Sequence, residues 1–307
     1  MKRTTVALAA LGLTLAGCSS SDTSAPNLGS GSSAAVTQAD AQAMSDETRG
    51  EISGFSEGAT LFDLEGSRWS IFPEAVRLFG HRRFDFDIPS NCPTIAPNPP
   101  QDPDSDGVPD SLQLTFDPAN CTFSRHGGLA SMSLSGTITI TDPPGFTRGL
   151  RVVYGAFTQK ITVDTFFFAR SVDGPWEMAS DSNGFAGTDS TTVARTSNDT
   201  SRKNSSLAKA WYVTFVADTP GTFSRRHHLP SGLININGTT TRTRDTTVKA
   251  FSIATVTPLH RNASCTDEDD KIDSGELHLT HTTSSGTQTV DIKFTACGQD
   301  PTVTVLP

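Results

Sequence analysis

A run of alternating aspartates is the sharpest chemical signal in this sequence. Residues 102–110 read Asp-Pro-Asp-Ser-Asp-Gly-Val-Pro-Asp. Carboxylates at alternate positions can converge on one hard cation, Gly107 permits a sharp turn, and a backbone carbonyl can add a further oxygen. Because Ca²⁺ takes about 6 to 8 oxygen ligands, this spacing predicts a structural calcium site. The predicted ligands are Asp102, Asp104, Asp106, Val108 and Asp110.

The same segment resembles the calcium segments of thrombospondin type 3 repeats and the opening of an EF-hand loop. The twelfth position of an EF-hand loop holds a bidentate Glu, whereas this chain has Gln113 there. Pro103, Pro109 and Leu112 do not suggest flanking helices. The resemblance therefore implies calcium binding without a complete EF-hand. The alternative is an acidic, proline-rich loop that its charges keep soluble.

Residues that could support catalysis are scattered. The seven histidines form no His-Glu-x-x-His motif. His278 and His281 are three residues apart, so on a strand they would point to opposite faces. Ser206 and Lys209 match the Ser-x-x-Lys of serine acyl-enzymes, but a predicted strand follows them and no Lys-Thr-Gly partner exists. We therefore predict a non-catalytic protein, with a motifless envelope hydrolase as the alternative.

The N-terminus has the pattern of a secretory leader. Lys2 and Arg3 precede an apolar stretch from Val6 to Ala16, which is shorter than the roughly 20 residues that cross a bilayer. Its end, Leu-Ala-Gly-Cys at 15–18, resembles the bacterial lipobox, which implies cleavage after residue 17 and acylation of Cys18. Under the sorting rule of that family, Ser19 favours the outer membrane. The alternative is an ordinary cleavable leader with a chance cysteine.

Four cysteines remain if Cys18 carries lipid, and they permit three pairings. Export favours disulfides, and pairing of sequence neighbours would close two loops of about 30 residues, each stabilising by roughly 3.5 kcal/mol. The alternative is a metal thiolate site, although no Cys-x-x-Cys occurs. The predicted pairs are Cys92 with Cys121 and Cys265 with Cys297.

Composition favours β structure and excludes nucleic acid as a partner. The chain has 307 residues, of which 35% are hydrophobic and 19% charged, and its formal net charge is -9. Hydroxyl, β-branched and aromatic residues suit half-buried strands. An acidic chain without a basic stripe releases few phosphate counterions, so it binds nucleic acid poorly.

The apolar pattern beyond residue 111 has period two, which predicts an antiparallel meander forming a large sheet, a sandwich or an open barrel. Hairpin turns are predicted at Asn237-Gly238, most strongly, and at Asn183-Gly184 and Ser285-Gly286. The predicted strands are Leu112–Phe116, Leu129–Thr141, Leu150–Ala169, Trp176–Ser180, Thr188–Arg195, Ala208–Ala217, Gly232–Thr243, Val248–Thr257, Gly275–Thr282, Thr287–Thr295 and Thr302–Leu306.

A helical N-terminal segment, residues 36–80, precedes the strands. Thr37 and Asp40 give a capping pattern that predicts a helix from Thr37 to Glu51, and a second, short helix is predicted within the apolar stretch from Leu61 to Phe79. Within the predicted strand Leu150–Ala169, large apolar residues fall on both faces. The N-terminal segment packed across the sheet would cover the second face; a hydrophobic ligand in a curved sheet is the alternative.

These features predict a leader at 1–17, a flexible tether at 18–35 and one β-rich domain at 36–307, with an acidic loop closed by a disulfide at 92–121. The whole pattern resembles bacterial cell-envelope lipoproteins, which implies a membrane partner through the lipid anchor and a periplasmic or surface location. We expect a scaffold, or a binder of an apolar ligand or envelope protein, with structural Ca²⁺. A calcium-dependent adhesive module is the alternative.

Overall fold

The computed structural model describes residues 35–58, 92–98, 101, 109–124, 130–142, 149–199, 204–223, 229–266 and 271–307. These residues form one helix and fourteen strands. The elements are α1 (Gln38–Gly58), β1 (Thr94–Ala96), β2 (Ser111–Phe116), β3 (Thr122–Ser124), β4 (Ala130–Thr141), β5 (Gly149–Val163), β6 (Phe166–Ser180), β7 (Gly184–Asp189), β8 (Thr192–Ser197), β9 (Ser205–Ala217), β10 (Gly232–Arg244), β11 (Thr247–Arg261), β12 (Ile272–Thr283), β13 (Gly286–Phe294) and β14 (Thr302–Leu306). The leader, Cys18, the tether and the predicted helix within Leu61–Phe79 lie outside the described residues.

All fourteen strands belong to one antiparallel sheet, which confirms the predicted fold class. The order is β1-β2-β4-β5-β6-β7-β9-β10-β11-β12-β13-β14, and β3 pairs with β4. Strands β7 and β8 follow one another between β6 and β9, each pairing with part of both neighbours. Neighbours in sequence are therefore mostly neighbours in the sheet, as the meander prediction requires.

Alternation along each strand separates two faces of the sheet. On β9, Leu207, Trp211, Val213 and Phe215 are buried, whereas Tyr212 between them is half exposed. Apolar residues of α1, including Met44 and Ile52, belong to the same buried cluster. We call the sheet face that α1 covers the helix face. Helix α1 is the described part of the predicted N-terminal cover.

The start of α1 follows the capping prediction. The Asp40 amide donates to the Thr37 hydroxyl at 3.2 Å, and the Thr37 amide donates back to the Asp40 carboxylate at 3.2 Å. This reciprocal arrangement satisfies two amides that the first helical turn would leave unpaired. The helix continues to Gly58, beyond the predicted end at Glu51.

The predicted strand Leu150–Ala169 is wrong as a single element. It is two strands, β5 and β6, joined by a turn at Asp164-Thr165 in which Asp164 has a φ of 54°. Aspartate tolerates this left-handed conformation better than most side chains. Val163 and Phe166 pair across the hairpin tip and are 45% and 59% exposed. Read as one strand, this stretch places apolar residues on both faces, because the chain in fact reverses at Asp164-Thr165.

The strongest predicted hairpin, at Asn237-Gly238, is also wrong. Both residues lie inside β10, which pairs with β9 along its whole length. Gly238 has a φ of 149°, and a Cβ there would overlap the carbonyl oxygen of Ala210 on β9. The glycine thus permits close approach of two strands beside a register shift between β10 and β11. The true turn is at Asp245-Thr246, between β10 and β11.

The two weaker hairpins are confirmed. Asn183-Gly184 lies at the turn from β6 to β7, and Ser285-Gly286 lies at the turn from β12 to β13. Both predicted disulfides are present, Cys92–Cys121 with a sequence separation of 29 and Cys265–Cys297 with a separation of 32. The thiolate alternative is therefore wrong for these four residues.

Candidate functional site

Basic side chains occupy the helix face of the central strands, where apolar residues are expected. Arg242 on β10 lies directly across from Lys249 on β11, and Arg170 on β6 lies directly across from Arg195 on β8. Like charges directly opposite one another on a sheet are destabilising. This basic row needs counter-charges. It consists of Arg170, Arg195, Lys209, Arg242 and Lys249.

Helix α1 supplies those counter-charges from one face. Asp40, Glu47 and Glu51 are spaced seven and four residues apart, so they share a side of the helix. Asp40 pairs with Lys249 at 2.7 Å. Glu47 receives two hydrogen bonds from Arg242, at 2.8 and 3.3 Å. Because these pairs fall on successive strands, the helix crosses the sheet in one defined register.

Glu51 lies at the centre of the densest part of this network. Its Oε2 accepts a hydrogen bond from Lys209 Nζ at 2.9 Å, and its Oε1 accepts one from Arg195 at 3.3 Å. Arg170 lies 3.9 Å from the same Oε1. Side-chain exposure is 5% for Glu51, 5% for Lys209 and 6% for Arg170, so the charges are nearly removed from water.

Asp189 is the second carboxylate that pairs with Lys209, at 2.7 Å. A break in the strand pairing positions it, because Ser190 and Thr191 separate β7 from β8. Asp189 Oδ1 accepts hydrogen bonds from the Thr191 amide at 3.0 Å and the Thr191 hydroxyl at 2.7 Å. The other oxygen is left for the ammonium. Opposite the break, Gly174 has a φ of 107°, and a Cβ there would overlap the Ser190 carbonyl.

The charges in this network are fixed. Burial alone would raise the pKa of Glu51, but the charges of Lys209, Arg170 and Arg195 together outweigh it and lower the pKa from 4.5 to about 2. Burial would lower the pKa of Lys209, whereas Glu51 and Asp189 raise it above its ordinary value. At neutral pH both groups stay charged, so neither is poised to transfer a proton.

The Ser-x-x-Lys match does not form a catalytic pair. Ser206 and Lys209 are both on β9 and three residues apart, so their side chains leave opposite faces of the strand. Lys209 points to the helix face and is held between two carboxylates. An acyl-enzyme would need this amine close to the serine hydroxyl.

His278 and His281 lie on opposite faces of β12, as predicted. His281 is buried on the helix face, and its Nδ1 lies 2.8 Å from the Ala250 carbonyl oxygen. His278 lies on the other face beside Glu276 and Asp291. Sequence reasoning missed this trio because Asp291 comes from the next strand. The available signal was the Glu-x-His alternation itself.

A third polar cluster surrounds His260 near the end of β11. Its Nε2 lies 2.9 Å from Asp218 Oδ2, and its Nδ1 lies 2.7 Å from Asp273 Oδ1. Hydrogen bonding to Asp218 raises the pKa of His260 most, burial opposes that rise, and Asp273 adds to it. With a carboxylate at each ring nitrogen, this imidazole serves as a cross-link between three segments of the sheet.

The predicted calcium ligands are mostly outside the described residues. Of the five, only Asp110 is described; it is exposed, and its amide donates to the Gln101 carbonyl at 3.0 Å. Asp102, Asp104, Asp106 and Val108 are not described. The calcium site stays a prediction.

Comparison of this chain with protein-family models, with curated proteins and with solved structures finds no match. Within the described residues, no helix combines the length and apolar character needed to cross a membrane. The fold alone defines the class, a mainly antiparallel β protein with one helix packed across its sheet.

Proposed function

We propose that this protein is a non-catalytic scaffold of the bacterial cell envelope, anchored by lipid at Cys18. The observation that carries the scaffold assignment is the set of ion pairs that holds α1 against the sheet. The helix forms ion pairs with basic side chains on β6, β8, β9, β10 and β11, so five strands are tied to one helix. The two disulfides support folding in an oxidising compartment.

The same network bears on the kind of ligand. An apolar molecule placed where α1 lies would leave the basic row with one counter-charge, Asp189 beside Lys209, which is costly for the other buried ions. The helix position therefore favours a scaffold over a carrier that holds an apolar ligand beneath this helix. An envelope protein or lipid would contact another part of the surface.

Lipid anchoring is tested by expressing the full chain in a Gram-negative host beside a Cys18→Ser variant. We expect the wild type in the outer-membrane fraction, with an intact mass that starts at Cys18 and includes acyl chains. The Cys18→Ser variant should lose both properties. A Ser20→Ala variant, two residues further along the tether, serves as the matched control and should behave as the wild type. A wild type with an uncleaved leader and no acyl mass would refute the anchor.

The scaffold and carrier versions are separated by solvent extraction of the purified protein followed by lipid mass spectrometry. For the scaffold we expect no lipid in stoichiometric amount beyond the covalent acyl chains. A released lipid at about one molecule per chain would overturn the scaffold and establish the carrier.

We also propose that the acidic loop between Cys92 and Cys121 binds structural Ca²⁺. Added Ca²⁺ should raise the melting temperature of the wild type and leave an Asp104→Ala, Asp106→Ala double variant unchanged. A second acidic run, at 267–270, offers the matched control. An Asp267→Ala, Asp269→Ala double variant should respond to Ca²⁺ as the wild type does. Equal responses in all three proteins would exclude the predicted site.

A further inference from the structure

Glu276, His278 and Asp291 converge on the sheet face opposite α1. Glu276 and His278 are alternate residues of β12, and Asp291 on β13 is the direct cross-strand partner of His278. Between and behind them, Leu277 and Val290 are fully buried on the helix face. The three side chains therefore project from two adjacent, hydrogen-bonded strands whose opposite face packs in the core. Side chains on paired strands can hold metal-ligand atoms in place without help from a loop.

The spacing of the three side chains suits a small cation. His278 Nε2 lies 3.1 Å from Glu276 Oε1 and 3.7 Å from Asp291 Oδ1, and one ligand atom from each residue falls within 4.8 Å of the others. A tetrahedral ion bound at about 2.0 to 2.2 Å separates its ligand atoms by about 3.3 to 3.6 Å. The two distances that join the imidazole to the carboxylates lie on either side of this range.

A second observation points to a missing ligand. Asp291 Oδ1 is shielded from solvent and has no hydrogen-bond partner in the part of the chain that the structure describes, although the whole side chain is 25% exposed. It faces His278 Nε2 at 3.7 Å, too far for a hydrogen bond, and that nitrogen is already close to Glu276. A buried carboxyl oxygen without a hydrogen-bond partner is destabilising.

A cation resolves this arrangement, whereas a proton on the imidazole does not. Nε2 can direct one proton at one carboxylate, and it faces two. A divalent ion would accept the lone pair of Nε2 and one oxygen from each carboxylate together. It would also neutralise the negative charge of the two carboxylates. Lys293 lies directly across from Glu276, but among the described residues it forms no ion pair with either carboxylate.

We propose that Glu276, His278 and Asp291 bind one divalent transition-metal ion, with Zn²⁺ the best match. One imidazole nitrogen and two carboxylate oxygens form a donor set that Zn²⁺ accepts in tetrahedral geometry, and the fourth position is open to water or to a donor from a partner. The site is separate from the predicted calcium loop, whose all-oxygen donors suit a harder ion.

The test is a titration of the purified, chelator-treated mature chain with ZnCl₂, followed by isothermal calorimetry, with saturating Ca²⁺ present to occupy any calcium loop. We expect one Zn²⁺ per chain in the wild type. His278→Gln and Asp291→Asn should each weaken binding by at least about tenfold, since loss of a group that only orients a metal ligand already costs about 10- to 100-fold. Both replacements keep side-chain size, and circular dichroism checks the fold.

His260→Gln is the matched control, because His260 also lies between two carboxylates but points one ring nitrogen at each. It should keep the wild-type affinity. Co²⁺ in place of Zn²⁺ gives an independent readout, an intense visible absorption typical of tetrahedral coordination, which should be absent in His278→Gln. No stoichiometric Zn²⁺ in the wild type, unchanged affinity in both ligand variants, or loss of binding in His260→Gln would each overturn the proposal.

Discussion

Replacing Glu51 with Gln tests whether the buried network holds the helix on the sheet. The amide has nearly the size of the carboxylate, so packing of α1 is retained while the negative charge is lost. Lys209 and Arg170, both nearly inaccessible to water, would then face excess positive charge. Because removing one partner from a buried ion pair leaves an uncompensated charge, we expect the folded state to be strongly destabilised.

The magnitude follows from the pKa of Glu51. The drop in that pKa from 4.5 to about 2 corresponds to about 3 kcal/mol of preference for the charged form, at roughly 1.36 kcal/mol per pKa unit. Loss of one partner from a buried pair costs about 3 to 5 kcal/mol in other proteins. We therefore expect Glu51→Gln to lower the free energy of unfolding by about 3 kcal/mol at pH 7.

Urea unfolding followed by tryptophan fluorescence measures this free energy. Asp46→Asn is the matched control, because Asp46 lies on the same helix with its side chain in solvent, and it should change stability by less than about 0.5 kcal/mol. A carboxyl with a lowered folded pKa stabilises at pH above its unfolded value, and that contribution disappears as the pH falls through the folded value. Wild-type stability should accordingly decline between pH 4.5 and about 2, and decline less in Glu51→Gln. A variant as stable as Asp46→Asn at pH 7 would refute the reasoning.

Three further changes probe other parts of the fold. Thr37→Ala removes the helix cap and should lower the free energy of unfolding, measured in urea, by about 1 kcal/mol. An unchanged free energy of unfolding would count against the cap. Gly238→Ala forces a Cβ against the neighbouring strand at a positive φ and should cost more than about 2 kcal/mol. Gly50→Ala, in open space on the helix, is its control and should be neutral or stabilising by about 0.5 to 1 kcal/mol. The pKa of His260 is raised in the folded state, so its pairs with Asp218 and Asp273 stabilise the fold fully below pH 6.5. This stabilisation decreases as the pH rises through the folded-state pKa of His260. The melting temperature should fall over that rise in the wild type more than in His260→Gln, and parallel curves would contradict this assignment.

Local chemistry made much of the fold predictable. The Thr37 cap, the strand Thr302–Leu306 and the turn at Asn183-Gly184 each depend on a few consecutive residues, and each occurs as predicted. The errors arose where two structures share one local pattern. Asn237-Gly238 suits a tight turn, but the same glycine also lets two long strands approach closely, and pairing along all of β10 favours the second use. The pairing partner lies outside any local window.

The candidate sites were harder to predict because their members come from distant parts of the chain. Glu51 and Lys209 are 158 residues apart, and Asp291 reaches His278 only through strand pairing. A partial signal was nevertheless present. Lys209 falls in the apolar phase of β9, with Leu207 before it and Trp211 after it. A charge in that phase predicts a buried counter-ion, but the strand does not indicate which residue provides it.

The buried charges make the helix and the sheet depend on one another. The sheet alone would hold two opposed pairs of like charges, Arg242 with Lys249 and Arg170 with Arg195, and no packing of apolar side chains relieves that repulsion. On the buried face of the helix, Ser45 and Thr48 lie among apolar residues such as Met44 and Ile52, so apolar burial is only part of what holds the helix on the sheet. An apolar interface could tolerate a shift by one helical turn with modest loss. Here such a shift would separate Asp40, Glu47 and Glu51 from their basic partners on the sheet, so these charges specify one register of the helix.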